Sequence, residues 1–434
     1  MPGGFTAIGK IPELKRRILF TLLLICVYRL GCYVPTPYIN TMALQAYFKQ
    51  AGGTLLGMFD MFSGGALSQF SIFALGIMPY ISASIILELL TVVVPTLEKL
   101  SKEGEAGRKK ITQYTRYSTG VLAAIQGFGI AVGLGGQSVH GVPLVLMSGW
   151  GFRLMTVLTL SAGTVFLMWL GEQITEVGIG NGISLIIYSG IVSRIPSAIF
   201  GTARLLKAGG MSIFVLALIL VLMLLVIGFI VFMERGQRRV PVQYAKRVVG
   251  RRVYGGQTAH IPLKINTSGV IPPIFAASIM MFPATIANFF KVPFVQAIAR
   301  DLTPGHWIYI VLYVTLIIFF CYFYTAIAFN PVDVADNMKK SGGFIPGIRP
   351  GKSTAEYLDK VLSRITLGGA LYVSAVCVLP TILVERFNVP FYFGGTALLI
   401  VVGVAMDTLS QIEAHMLSRH YEGFLKSGRT RGRR

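Results

Sequence analysis

The chain has 434 residues, 54% of them hydrophobic and 13% charged, and a formal net charge of +21 at pH 7. A soluble globular chain is nearer a quarter charged, so this composition excludes an ordinary soluble domain and places much of the surface against something other than water. The basic excess calls for negatively charged partners or surfaces.

Met1–Arg17 is polar and carries no cleavage-site pattern, so no removable leader is expected. Ten apolar runs follow, at about residues 17–34, 71–94, 118–134, 152–171, 182–200, 212–233, 269–290, 307–329, 366–384 and 394–412. A helix rises about 1.5 Å per residue, so runs such as Ser212–Met233 and Ile308–Phe329 suffice for roughly 30 Å of hydrocarbon. The expected fold is an all-α polytopic membrane protein with ten transmembrane helices.

Leading into the second run is FSGGALSQFSIFALGIMPYISAS, Phe62–Ser84. Its front carries Ser63, Gly64, Gly65, Ser68 and Gln69, a poor choice for a lipid-facing helix, and its back carries Ile72, Ile77 and Ile81 around Pro79. Ile77 and Ile81 lie four apart and share one helical face, a pattern that packing or lipid contact explains as readily as a pore.

With the N-terminus set in the cytoplasm, thirty of the 39 lysines and arginines fall on that side. Four lie in the N-tail, six between Lys99 and Arg116, eight between Arg235 and Lys264, six between Lys339 and Arg364, and six between Arg419 and Arg434. Lys49, Arg194, Arg204, Lys207, Lys291, Arg300 and Arg386 fall outside, and Arg29 and Arg153 within spans. This asymmetry puts both termini in the cytoplasm. The loop of about 234–266 alternates like a hairpin, with Val240, Val242 and Tyr244 in step and a second run at Val248–Tyr254. A basic, aromatic-bearing projection suits an RNA surface or an acidic protein face, and also a topology signal touching anionic lipid. A second long cytoplasmic loop covers about 330–364. The ten runs divide at Gly201–Gly210 into halves of five, about 1–205 and 206–434, and an odd number per half makes the halves inverted repeats. Their second members, 71–94 and 269–290, become counterparts, both marked by proline (Pro79; Pro272, Pro273 and Pro283).

Chemistry-bearing residues are sparse. Glu88 is the one good mid-membrane carboxylate, which a neighbouring helix near the interface could equally hydrogen-bond. GIGNG, Gly178–Gly182, loosely matches a phosphate-binding loop but lacks the Lys-Ser/Thr ending, so a tight inter-helix turn is the plainer reading. Cys26, Cys32, Cys321 and Cys377 lie in apolar runs and read as buried small hydrophobes; no cysteine–histidine cluster has metal-ligand spacing. No triad or paired-carboxylate pattern is present, so no enzyme, metal or cofactor is expected. Two readings offer themselves from the residues alone: an inverted-repeat secondary transporter of a small solute, and a membrane-anchored nucleic-acid binder. The transporter needs a polar mid-membrane site, for which only Glu88 offers itself, and the nucleic-acid binder needs a larger soluble domain than these loops provide.

The stretches MFSGGALSQFSIFALGIMPYISASI, EGEAGRKKITQYTRY, GEQITEVGIGNGIS, ERGQRR, YAKR, GRRVY, FNPVDVADNMKKSGGFIPGIRPGKST and PFYFGGTALLIVV together resemble bacterial SecY, the central-subunit family of the Sec protein-conducting channel, over about Leu14–Glu422. The resemblance implies ten helices in two inverted five-helix halves around a central pore. Through it unfolded polypeptides would cross, and from it transmembrane segments would enter, the bacterial cytoplasmic membrane. It implies a plug, a short helix over about Asp60–Phe70 containing Phe62, Ser63, Gly64, Gly65, Ala66, Leu67 and Ser68, kept loose by glycine so that it can be displaced. It implies a pore ring of Ile77, Ile81, Ile187, Ile274, Ile286 and Ile400. A lateral gate between the second and seventh spans would involve Pro79, Ser82, Glu88, Ile279 and Pro283, the prolines weakening the hydrogen-bond ladder of moving helices. Docking of the ribosome or of the motor ATPase SecA would use Arg238, Arg239, Lys246, Arg247, Arg251, Arg252 and Arg349. Further partners implied are SecE and SecG subunits, signal-sequence-bearing polypeptides and the lipid bilayer. Glu88 departs from the family pattern, where an amide is commoner, and the loop before span eight is short.

Overall fold

A computed structural model describes residues 11–50, 60, 63–135, 137–139, 142–147, 149–207, 209, 212–244, 247–249, 252–254, 258–287, 306–387 and 395–431; the expected site residues Phe62, Lys246 and Arg251 lie outside these. In chain order the elements are α1 (Pro12–Gly31), α2 (Thr41–Gln50), α3 (Met78–Val93), α4 (Pro95–Lys102), α5 (Glu105–Leu134), β1 (Ser138–Val139), β2 (Val142–Pro143), α6 (Trp150–Val177), α7 (Gly182–Val192), α8 (Ile195–Lys207) and α9 (Ile213–Arg235). Then come β3 (Gln237–Tyr244), β4 (Arg247–Val249), β5 (Arg252–Tyr254), β6 (Thr258–Lys264), α10 (Ile271–Ala287), α11 (Trp307–Ala328), α12 (Pro331–Lys340), β7 (Gly343–Phe344), α13 (Lys352–Phe387) and α14 (Gly395–Arg431).

Among the described residues each of the ten expected apolar runs overlaps helix. Among the described residues seven helical segments are long and apolar enough to cross a bilayer, and an eighth if α3 and α4, bent 99° apart, form one span. Helix α9 is the most apolar, with a mean hydropathy of 3.5. Its Phe214, Leu224 and Phe232 are all at least 70% exposed, as a helix that is apolar all round and faces hydrocarbon should be.

Several boundaries differ from the expected ones for local reasons. The second run turns helical only at Met78, so Pro79 stands in the first turn, where its missing N–H interrupts no ladder. The prolines at 272 and 273 likewise open α10. The expectation that these three weaken a moving helix is therefore corrected; only Pro283 lies in a helix interior. Helices α5 and α13 begin well before their apolar runs, because EAGRKK and KSTAEYLDK are rich in good helix formers and contain no proline. The fifth run breaks after Val192 and resumes at Ile195, with Pro196 in the first turn of α8.

Outside the spans the basic loops carry short strands, as the alternation in 234–266 led one to expect. Strand β3 pairs antiparallel with β6 from Gln237 opposite Lys264 to Gln243 opposite Thr258. On its other edge β7 adds, with Gln243 opposite Phe344, giving a three-stranded sheet ordered β6-β3-β7. The second run forms its own β4–β5 hairpin. Val240 and Val242 are 2% and 1% exposed, whereas Tyr244 at the strand end is exposed. The buried pair packs with Leu263, Met338, Ile345, Leu358, Val361 and Leu362, so the two long basic loops share one core.

By contacts the chain groups into two compact units: Met1–Arg204 with Ser278–His306 and Val404–Arg434, and Leu205–Ala277 with Trp307–Gly403.

Candidate functional site

Within the first unit Asp60 is helical, and Ser63–Phe70, the rest of the expected plug segment that is described, is a run of hydrogen-bonded turns. The reason is backbone conformation. Gly64 and Gly65 have φ of 68° and 89°, in the left-handed region that glycine enters without a Cβ penalty. A Cβ on Gly64 would also stand 2.7 Å from the Gly190 Cα of α7 and 2.9 Å from Nη1 of Arg29. The glycines thus permit a turn and a close backbone approach, and the segment is tightly seated rather than loosely packed. Ser63, Ala66, Leu67 and Phe70 are all at most 3% exposed. Leu67 and Phe70 join an apolar cluster with Ile39, Leu44, Leu144 and Phe152.

Polar contacts hold the segment at several points. The Tyr28 hydroxyl donates to the Ser63 carbonyl at 3.1 Å, and Arg29 Nη1 donates to the Gly64 carbonyl at 3.1 Å. Ser68 N–H donates to Asp60 Oδ1 at 2.7 Å, and Asp60 Oδ2 is ion-paired with Arg194. Downstream, Thr36 donates both its N–H, at 2.8 Å, and its hydroxyl, at 3.0 Å, to the Phe70 carbonyl, and Ile72 N–H reaches the Val34 carbonyl at 3.0 Å. Sequence reasoning assigned Arg29 and Arg194 no role. An arginine inside an apolar run was the signal, since such a charge needs a partner.

Five of the six ring candidates are buried. Ile77, Ile81 and Ile187 are 5%, 6% and 4% exposed in the first unit, and Ile274 and Ile400 are 7% and 0% exposed in the second. Ile81 N–H donates to the Ile77 carbonyl at 3.0 Å, so the two stand one turn apart at the start of α3. Ile286 lies in α10. Of the gate candidates, Pro79 is buried, Ser82 half-buried and Ile279 37% exposed, and Pro283 lies within α10. Glu88 is half-buried on α3, and its Oε2 is buried without a hydrogen-bond partner among the described residues.

The docking candidates among the described residues lie in the two long basic loops. Arg238 and Arg239 are exposed on β3. Arg247 and Arg252 stand on the β4–β5 hairpin, opposite Tyr254 and Val249. Arg349 is exposed in the turn after β7, between Gly347 and Gly351, whose φ values are 81° and 106°. Its carbonyl accepts the Thr354 hydroxyl at 2.9 Å.

The GIGNG stretch is an inter-helix turn, and three of its amides already have side-chain acceptors. Ile179 N–H donates to Thr21 Oγ1 at 3.1 Å, Gly180 N–H to Gln411 Oε1 at 2.9 Å and Gly182 N–H to Thr175 Oγ1 at 2.9 Å. These amides are not an open cradle for phosphate. Cys32, Cys321 and Cys377 are buried as expected, but Cys26 is exposed on the apolar surface of α1.

The SecY family model matches residues 71–409. Protein translocase subunit SecY of Escherichia coli (strain K12) is 54% identical over 432 residues, covering 98% of this chain and 97% of that protein. Two solved structures share the fold over 93% of this chain and 92% of theirs. One, of the SecY plug domain that stabilises the closed state of the translocation channel, has a TM-score of 0.66 at 16% identity. The other, Sec61 in the canine ribosome-channel complex, has 0.61 at 15%. An apolar, many-span chain with a seated turn segment and this full-length identity belongs to the SecY family.

Proposed function

We propose that this chain is the protein-conducting subunit of a bacterial inner-membrane translocase, which passes unfolded polypeptides across the bilayer and releases apolar segments sideways into lipid. The observation that carries this reading is Ser63–Phe70, a small polar segment seated against α7 by a few polar contacts and one apolar cluster. In this reading it is the plug, and Ile77, Ile81, Ile187, Ile274, Ile286 and Ile400 form the constriction it covers, between two inverted halves of five spans. An apolar collar presents no fixed hydrogen-bond partner, so it passes any side chain yet resists water and ions by dewetting. Helices α3 and α10 would form the lateral gate, with Pro79, Ser82, Glu88, Ile279 and Pro283 along it. Both termini would lie in the cytoplasm with the basic platform. SecE and SecG subunits would accompany the chain, SecA would drive export, and the ribosome would dock for co-translational transfer, as in the canine complex of the same fold.

Vesicles holding the chain with these subunits, supplied with SecA and ATP, should import a signal-bearing precursor. Arg349→Glu should cut that import about tenfold while leaving ribosome affinity within about twofold, since a lone guanidinium on a stiff turn suits a carboxylate of a protein partner. The double reversal Arg251→Glu/Arg252→Glu should weaken ribosome binding with a steep salt dependence, because contacts to phosphates gain from counterion release. Absence of import by the parent complex would reject the channel reading. Equal losses in both assays for both variants would reject the division of labour between the loops.

A further inference from the structure

We propose that Asp60 and Arg194 form an ionic latch that locks the plug segment to the break between α7 and α8, so that opening the channel requires this ion pair to part. The proposal rests on reading Ser63–Phe70 as the plug.

Asp60 is the organising residue of the turn run. Its Oδ2 pairs with Arg194 Nη2, and its Oδ1 accepts the Ser68 N–H at 2.7 Å. Its carbonyl accepts the Gly65 N–H at 2.9 Å, the Ser63 hydroxyl at 3.1 Å and Arg194 Nη2 at 3.1 Å. Ser63, Gly65 and Ser68 are thereby tied to one carboxylate-bearing residue, and that residue is tied to one guanidinium. The Asp60 side chain is 9% exposed and that of Arg194 30%, so the carboxylate is largely dry and loses heavily if its cation leaves.

Arg194 is placed to be moved. It occupies the two-residue gap between α7 and α8, with its N–H on the Ile191 carbonyl at 3.1 Å and its own carbonyl accepting Ala198 N–H at 3.0 Å. A change in the angle between the two helices would carry the guanidinium with it. The other arginine on the segment acts differently. Arg29 grips the Gly64 carbonyl, an acceptor that any residue would supply, and lies 5.9 Å from the Tyr28 ring centroid and 5.8 Å from that of Tyr33. Arg29 therefore grips the backbone, whereas Arg194 reads a specific charge. Because Ser63–Phe70 has no helical ladder of its own, these outside contacts hold its shape.

The test is the resting opening probability of the complete complex in planar bilayers. Asp60→Asn and Arg194→Gln should each raise it about tenfold, the size of effect expected for a lost charge-assisted hydrogen bond. The exchange Asp60→Arg/Arg194→Asp should return it to within about twofold of the parent. Arg194→Lys, which keeps a cation beside the carboxylate, should open clearly less than Arg194→Gln. That conservative comparison decides the matter even where the exchange fails to assemble. Single variants that stay closed, or Arg194→Lys as open as Arg194→Gln, overturn the latch. Ile81→Asn in the same bilayers separates the two ideas: leakage there with silent Asp60→Asn and Arg194→Gln rejects the latch alone, and silence in all three rejects the pore reading and the latch with it.

Discussion

Ile81→Asn should convert a silent resting channel into one that passes ions in the absence of any polypeptide. Ile81 is 6% exposed and stands one helical turn from Ile77, itself 5% exposed. An amide placed there must either stay without hydrogen bonds, at about 1–3 kcal/mol, or draw in water. The second outcome wets the collar, and wetting is what admits ions. Resting opening should rise at least tenfold, roughly the effect of 1.4 kcal/mol on a two-state equilibrium. Ile81→Val is the control, since it removes one methylene at about 0.5–1.5 kcal/mol of folding stability yet leaves the constriction apolar. Ile400→Asn should behave like Ile81→Asn, because Ile400 is 0% exposed at the start of α14. If the asparagine variants conduct no more than the valine one, these isoleucines do not form the barrier.

Gly64→Val should unseat Ser63–Phe70 more strongly than any single polar change in it. An L-residue held at a left-handed φ costs roughly 1–2 kcal/mol, and a β-branched one more. The added Cβ would also meet the Gly190 Cα at 2.7 Å, which is backbone within α7 and cannot swing aside as a side chain does. Together these exceed about 2 kcal/mol, which shifts a closed-to-open equilibrium about thirtyfold. Gly65→Ala separates the two causes. Its φ is also positive, at 89°, but among the described residues the one atom close to an added Cβ is Arg194 Nη2 at 3.6 Å, so the conformational cost dominates. Resting conductance measured side by side should rank Gly64→Val well above Gly65→Ala, and Gly65→Ala above the parent. The reverse order would mean that the approach to Gly190 does not hold the segment.

Hydropathy and period carried the sequence reading as far as local composition reaches. The ten spans were legible because hydrocarbon selects for composition along a run, and the basic projection read as a hairpin because Val240 and Val242 alternate with polar residues. Helix starts were harder. Glu105 and Lys352 begin helices within charged stretches that hydropathy assigns to loops. Tertiary pairings were out of reach. Gln243 opposite Phe344 joins two loops about a hundred residues apart, and Asp60 meets Arg194 across 134 residues. The glycines at 64 and 65 show the ambiguity at its sharpest. The same two letters fit a loosened helix or a turn at positive φ, and only the neighbours, Gly190 above all, decide between them.

The central claim is that Ser63–Phe70 leaves its seat when a polypeptide enters. Ser68 reports on this directly: it is half-buried, with its N–H on Asp60 Oδ1 and its hydroxyl donating to the Gly65 carbonyl at 2.9 Å. Ser68→Cys should be placed in a complex whose native cysteines have been replaced, Cys26 above all because it is exposed. A membrane-impermeant maleimide added on the external side should label it slowly in idle complexes, and at least about tenfold faster in complexes jammed with a translocating polypeptide. Equal labelling rates in the idle and jammed states would contradict the account.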